Sequence, residues 1–423
     1  MDGAALVRHL RRSSHWAFTD NRTLYVWGGH QEVAGETVAL PSDEIWLYDL
    51  DGGTCQVQTH LYLLAVSACL CMFRERREIT GERPPDLSGP CGSYSNGTFY
   101  VFAGCDNRQY TNEMFSCVLT EQNYTWKRAT DTKGTTPSPR INHSCWVHRD
   151  RLIYFGGYGP KTLSQNTSSA SFTVEEMTWS SIGNALFLCW GWNNEVDVFD
   201  VNAATWTKPE TLGQPPRPRS HHAGAVLGNR GYICGGVDAA QLDMFCLDLE
   251  TWAWTQLDLP HCSAPPGRSM FTITPTSDHA LFIYGGVGAD GNTLNDAWQF
   301  HTQKRDWTKM AHPHRDKPRG CHTACLGRDN DVVVFGGSSN TCTPDSRAVL
   351  KNPGQHHCGD LFCFQTQPYS LHRLCEDLIG RNLKMFEKHL IQLPSQLRGG
   401  IETRAAFFSA SPYVLTAPAL TAH

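Results

Sequence analysis

Residues 152–157 read Leu152-Ile153-Tyr154-Phe155-Gly156-Gly157. Four consecutive large apolar residues cut off by two glycines fit a short strand buried on both faces. The glycine pair supplies backbone conformations closed to other residues and lets the chain turn in a crowded place. Working outward, the same phrase recurs. Leu24–Trp27 precedes Gly28-Gly29, Phe99–Phe102 precedes Ala103-Gly104, and Gly231–Cys234 precedes Gly235-Gly236. Leu281–Tyr284 precedes Gly285-Gly286, and Val332–Phe335 precedes Gly336-Gly337. The intervals between pairs are irregular, at 75, 53, 79, 50 and 51 residues. A second landmark resolves them: Trp126, Trp206, Trp254 and Trp307 stand 30, 29, 31 and 29 residues before the next pair. One half of the unit therefore has a fixed length and the other half varies.

A period of about 50 residues, with Gly-Gly after a strand and a tryptophan downstream, is the signature of the kelch repeat. The sequence resembles the kelch-repeat family over residues 12–368. The resemblance implies an all-β fold, a six-bladed kelch β-propeller in which each repeat is a four-stranded blade packed around an axis. The runs near Ser14-His15 and Leu361–Phe364 are expected to share one blade and so close the ring. The four tryptophans are read as packing between blades rather than as ligand contacts.

Two segments break the register. Asp200 to Trp206 and Asp248 to Trp254 are both 6 residues, whereas Asp49 stands 24 residues before Phe73, the matching position of the first repeat. This gap places an insertion near residues 55–72, apolar but without a repeat. Residues 159–191 are expected to form a long loop, Ser/Thr/Asn-rich at its start and aromatic at its end.

After residue 368 the apolar period changes from two to 3.6. Leu371, Leu374, Cys375, Leu378 and Ile379 share one helix face, with Ser370 suited to cap the start and Gly380 to end it. A second helical pattern holds Leu383, Phe386, Leu390 and Ile391, and Pro394 is placed to open a third helix. Residues 369–400 thus form a short C-terminal α-helical tail, with 401–423 expected to be unstructured. Ser370, Leu371, Cys375 and Ile379 are similar to the BC box, a helical motif that in its carriers inserts into the Elongin B/C heterodimer. Leu393, Pro394 and Leu397 resemble the Cullin-2 box, 14 residues beyond Ile379.

The resemblance implies a substrate-recognition subunit of a Cullin-2/Elongin B/C ubiquitin ligase. Its propeller would hold a protein substrate by a C-terminal degron while doing no chemistry itself. The alternative is a kelch interaction scaffold without ligase activity. The family includes a receptor for C-terminal diglycine tails, whose carboxylate calls for paired arginines. Carried onto this sequence, those two positions are Val237 and Ala240. Tyr158, Trp192 and Ser269 are retained as substrate-binding candidates. Two expected tryptophans are Met270 and Cys321, and an expected lysine is Asn142. With the cationic anchor largely missing, diglycine C-termini are expected to bind weakly or not at all. Arg140, Arg219, Arg268 and Arg319 recur just ahead of the strands and read as structural.

Composition narrows the remaining classes. Lys+Arg 36 against Asp+Glu 41 leaves −5, so there is no basic excess for nucleic acid. The longest apolar run, Leu61–Phe73, is short of the ~20 residues of a membrane span. The first residues lack a leader pattern, and the 17 cysteines lack the spacing of a disulfide framework, so a cytoplasmic or nuclear setting is expected. Kelch propellers also serve copper radical oxidases. Neither His221-His222 nor His356-His357-Cys358 shows metal-ligand spacing, however, and no cofactor or metal is expected.

Overall fold

A computed structural model describes residues 11–20, 23–33, 36–50, 73–106, 109–120, 123–162, 170–180, 186–237, 242–258, 264–327, 330–340 and 357–410. The expected insertion at 55–72 lies outside these residues, as does Ala240.

Six blade sheets, antiparallel but for one short parallel pair in the second, follow one another along the chain. The third shows the plan: Ser144–His148, Arg151–Phe155, Val196–Asp200 and Thr205–Thr207, hydrogen-bonded in that order. The first, second, fourth and fifth sheets repeat it, beginning at Trp16, Cys91, Ala223 and Thr272, and the second adds a fifth strand, Thr80–Gly81, parallel to Thr125–Arg128. The sixth has three strands among the described residues, Thr323–Leu326, Val332–Phe335 and Leu361–Phe364.

The phrase at 152–157 shows why sheets of this sequence pack into a ring. Leu152 and Tyr154 enter an apolar cluster with Phe102 and Met114 of the preceding blade. Ile153 and Phe155 enter the next cluster, with Ile233 and Leu247 of the following blade. Alternate side chains of one strand thus serve two blade junctions. Six such clusters occupy the six junctions. Trp126, Trp206, Trp254 and Trp307 lie buried on outer strands, each within one of them. Trp206, for example, sits 4.9 Å from the Phe102 ring across a junction.

The glycine pairs mark where the next blade's lead-in crosses. Gly157 has φ +105, and a Cβ there would lie 2.9 Å from both the Ile141 carbonyl and His143 Cβ. Its amide donates to the Arg219 carbonyl of the following blade (2.9 Å). Gly104, Gly236, Gly286 and Gly337 make the same stitch to Arg140, Arg268, Arg319 and Arg12.

Three expectations are corrected here. The ring does not close by a shared blade. Trp16–Asp20 edges the first sheet and Leu361–Phe364 the sixth. These two blades meet through an apolar junction of Val26, Trp46 and Tyr48 with Val333 and Phe335, and by side-chain bonds such as Thr19 Oγ1 to the Leu326 carbonyl (2.8 Å). The described residues within 159–191 form strands, not one long loop. Tyr158–Thr162, Phe172–Ser180 and Leu186–Asn193 form a separate three-stranded antiparallel sheet, because the aromatic end of the segment pairs with both of its flanks. Nor is residue 401 the start of an unstructured tail. The tail comprises α1 (Leu371–Arg381), α2 (Leu383–Leu390) and α3 (Ser395–Ala410), and α3 runs ten residues into it.

Candidate functional site

Each blade is preceded by a lead-in of common form. The residue two before the inner strand holds a left-handed backbone: Ser14 (φ 52), Gly89 (φ 60), Asn142 (φ 54), His221 (φ 55), Met270 (φ 55) and Cys321 (φ 54). Five of the six are not glycine, and such conformations persist only where the surroundings hold them. Here a hydrogen-bonded arc does so. The amide of Asn142 donates to the Gly89 carbonyl, His221 to Asn142, Met270 to His221, Cys321 to Met270 and Ser14 to Cys321, at 2.9–3.0 Å. The arc and the inner strands line an axial cavity of about 270 Å³.

Along the arc, the residue after each glycine pair bridges the residue before each left-handed one. Tyr158 exchanges two backbone bonds with Ile141, the Val237 amide donates to the Ser220 carbonyl, and Ser269 pairs with Val287. The structure therefore brings Tyr158, Val237, Ser269, Asn142, Met270 and Cys321 to one axial mouth. Met270 and Cys321 touch, their sulfurs 3.6 Å apart, with Val287 packed against them. Tyr158 and Trp192 face each other across strands of the inserted sheet, their rings 5.5 Å apart. The Tyr158 hydroxyl donates to Glu175 (2.7 Å). Tyr110 and Trp190 extend this aromatic wall, and sequence reading missed them because no repeat position marks them. The members of the arc were legible as the residue two before each inner strand, though their bonding to one another was not.

The lead-in arginines are engaged inside the protein. Arg219 and Arg268 each grip an aspartate with two nitrogens, Asp243 at 2.8 and 2.7 Å and Asp296 at 2.7 and 3.0 Å. Each also donates to the first glycine carbonyl of its blade's pair. Arg140 lies between Glu195 and Asp197, and Arg319 pairs with Asp360. Burial opposes ionisation of Glu195, yet Arg140 and Lys161 hold it down at about 2. Two-pronged contacts to partly buried carboxylates fix the lead-ins against the sheets.

Histidines follow the left-handed residues in four blades: His15, His143, His222 and His322. His222 meets Ser144 (2.9 Å), His322 meets Thr272 (2.9 Å) and His15 meets Thr323 (2.7 Å), each across a blade junction. Burial keeps these rings neutral, with His222 and His322 lowered to about 3. Among the described residues no group of three or more His, Cys, Asp or Glu is placed to hold a metal ion.

The tail presents a second surface. Ser370 caps α1, its hydroxyl accepting from the Arg373 amide (3.2 Å). Leu371 (77% exposed), Leu374, Cys375 and Leu378 (58%) lie open, with Ile379 partly covered. The buried side of the helix holds Arg373, Glu376 and Gly380 instead. Gly380 does not end α1. It sits inside the helix against α3, where a Cβ would stand 2.9 Å from Arg404 Cβ. Pro394 directly precedes α3 and accepts from the Arg398 amide, with Leu393 and Leu397 half-buried on either side. No helix among the described residues is long and apolar enough to cross a membrane.

Residues 51–185, 188–337 and 244–381 match the KLHDC2/KLHL20/DRC7 kelch-repeats domain. The sequence is 39% identical to Kelch domain-containing protein 1 of Homo sapiens, over 95% of this chain and 91% of that protein. It is 33% identical to Kelch domain-containing protein 2 of Homo sapiens, over 93% of this chain and 92% of that one. Among solved structures, YjhT superposes with a TM-score of 0.57 at 14% identity, covering 85% of this chain and 96% of that one, a likeness of fold alone.

Proposed function

This chain belongs to the kelch-repeat family, and on that premise we propose that it is the substrate-recognition subunit of a Cullin-2/Elongin B/C ubiquitin ligase. It acts as a receptor without chemistry of its own, in the cytoplasm or nucleus. The observation that carries this reading is the outward apolar face of α1. Leu371, Cys375 and their neighbours sit on a capped helix, with none of the described residues packed closely over Leu371, Leu374 or Leu378, at the positions of the BC-box pattern. A helix-in-groove partner would cover that face. Leu393, Pro394 and Leu397, where α3 begins, are the proposed Cullin-2 contacts. The axial mouth, with Tyr158, Trp192 and Ser269, is the proposed seat of the substrate.

A full-length Leu371→Ser, Cys375→Phe variant is expected to lose co-purifying Elongin B/C by at least about tenfold, the scale of a helix anchor. The thermal midpoint of the propeller should stay unchanged. Undiminished capture would remove α1 as the docking helix, and absence of capture by wild type would leave the plain interaction scaffold as the function. The mouth also supports a statement on ligands. The arginines that line its lead-ins are committed to aspartates and glutamates, and Val237, Met270 and Cys321 add no charge. A fluorescent peptide ending in Gly-Gly is therefore expected to bind weakly or not at all. Sub-micromolar affinity in a polarisation titration would contradict this.

A further inference from the structure

The tail is built inside out. An amphipathic helix in a folded chain ordinarily turns its apolar stripe inward, whereas α1 turns inward the residues that belong outside. Arg373 and Arg404 are buried to within 2% of their side-chain surface, and both approach one acid. Arg404 of α3 donates from Nε to Asp377 Oδ1 at 2.6 Å, and Arg373 Nε lies 3.3 Å from the same oxygen. Two glycines let the helices close around this group. Gly380 admits Arg404, and a Cβ on Gly400 would stand 2.5 Å from Glu376 Oε1. Arg373 also lies over the Tyr369 ring (5.6 Å), and the Tyr369 hydroxyl donates to Asp331 of the sixth blade (3.1 Å), so the arrangement is tied to the propeller.

We propose that Arg373, Asp377 and Arg404 are positioning residues that aim the docking face of α1, holding Leu371, Leu374, Cys375 and Leu378 toward solvent before any partner arrives. The proposal rests on reading α1 as a docking helix. Its mechanism is a choice between two faces. If α1 rolled to cover its leucines on α3, Arg373 and Asp377 would turn with it, and the buried Arg404 guanidinium would lose its contact with that acid. A buried charge stripped of its partner is far costlier than an exposed leucine. Buried ion pairs add little net stability compared with apolar packing, but they discriminate between registers, and here the register is the direction of the apolar face. The partner then meets a helix already formed and facing it, with no ordering cost to meet on binding.

The test is a full-length variant that swaps the charges for apolar side chains of similar size: Arg373→Leu, Asp377→Leu, Arg404→Met. Cys375 is the one exposed thiol among the described cysteines. Its alkylation rate, read site by site by mass spectrometry after iodoacetamide, therefore reports which way α1 faces. The expected result is at least about tenfold protection of Cys375 with amide exchange of 371–381 still slow, as for a folded but re-aimed helix. Elongin B/C capture should be lost in parallel. The charge swap Asp377→Arg with Arg404→Asp, which keeps one acid between two bases, should restore both. Unchanged labelling with slow exchange overturns the proposal. Fast labelling with fast exchange overturns it too, because the charges would then hold the helix together rather than aim it. If wild type captures no Elongin B/C at all, the ligase reading fails, while the thiol labelling still decides the aiming.

Discussion

Propeller and tail solve the same packing problem in opposite ways. At the blade junctions of the propeller the apolar side chains find neighbours: Leu152 and Tyr154 turn to one blade, Ile153 and Phe155 to the next, and the buried arginines stay at the lead-ins. In the tail the charge is inside and the apolar stripe outside. The difference teaches that the same leucines serve stability in one region and recognition in the other, according to what covers them.

Three experiments would break or sharpen this contrast. The largest effect should come from acid. His222 and His322 are buried neutral, lowered from 6.5 to about 3. The unfolded chain takes up protons at these sites below pH 6.5 and the folded chain does not until near 3. Their contribution is thus fully present above pH 6.5 and is lost as pH falls through that window. Each histidine costs on the order of 1.4 kcal/mol per pH unit there. Urea midpoints taken from pH 7.5 down to 4.5 should fall steeply, and a flat profile would remove the histidines from the account of the blade junctions. Next, Phe155→Ala at the centre of a junction should cost about 3–5 kcal/mol in the same measurement. A loss under about 1 kcal/mol would mean that the junction collapses around the gap. The smallest effect belongs to the tail. Leu378→Ala, though also the truncation of a large apolar residue, should shift stability by less than about 0.5 kcal/mol. A core-sized loss there would show that the stripe is covered within the chain.

The contrast also explains what could be read from the sequence. Leu152–Gly157 and its five copies disclosed the blades because a strand buried on both faces and a left-handed glycine are local demands. The inserted sheet stayed hidden. Leu186–Asn193 takes its place only by pairing with both Tyr158–Thr162 and Phe172–Ser180, and neither partner carries the repeat's phrase. The mouth was half visible. Asn142, Met270 and Cys321 each sit ahead of an inner strand, but only the arc of backbone bonds joins them through their lead-ins. In the tail the 3.6 period picked out Leu371, Leu374, Cys375 and Leu378 as one face. A period is silent on whether a face is covered. Arg373 and Asp377 would be read as a solvated stripe, and it is Arg404, more than twenty residues away, that makes that stripe the interior.

The closure of the ring sets a waiting time. Val26, Trp46 and Tyr48 of the first blade are covered by Val333 and Phe335, about 300 residues later in synthesis. At the usual pace of translation that is roughly 15–60 s during which one apolar flank of the first blade has no native partner. A ring joined through a packed junction, rather than by a strand lent from one end to the other, leaves the growing chain sticky on that side until its last blade is made.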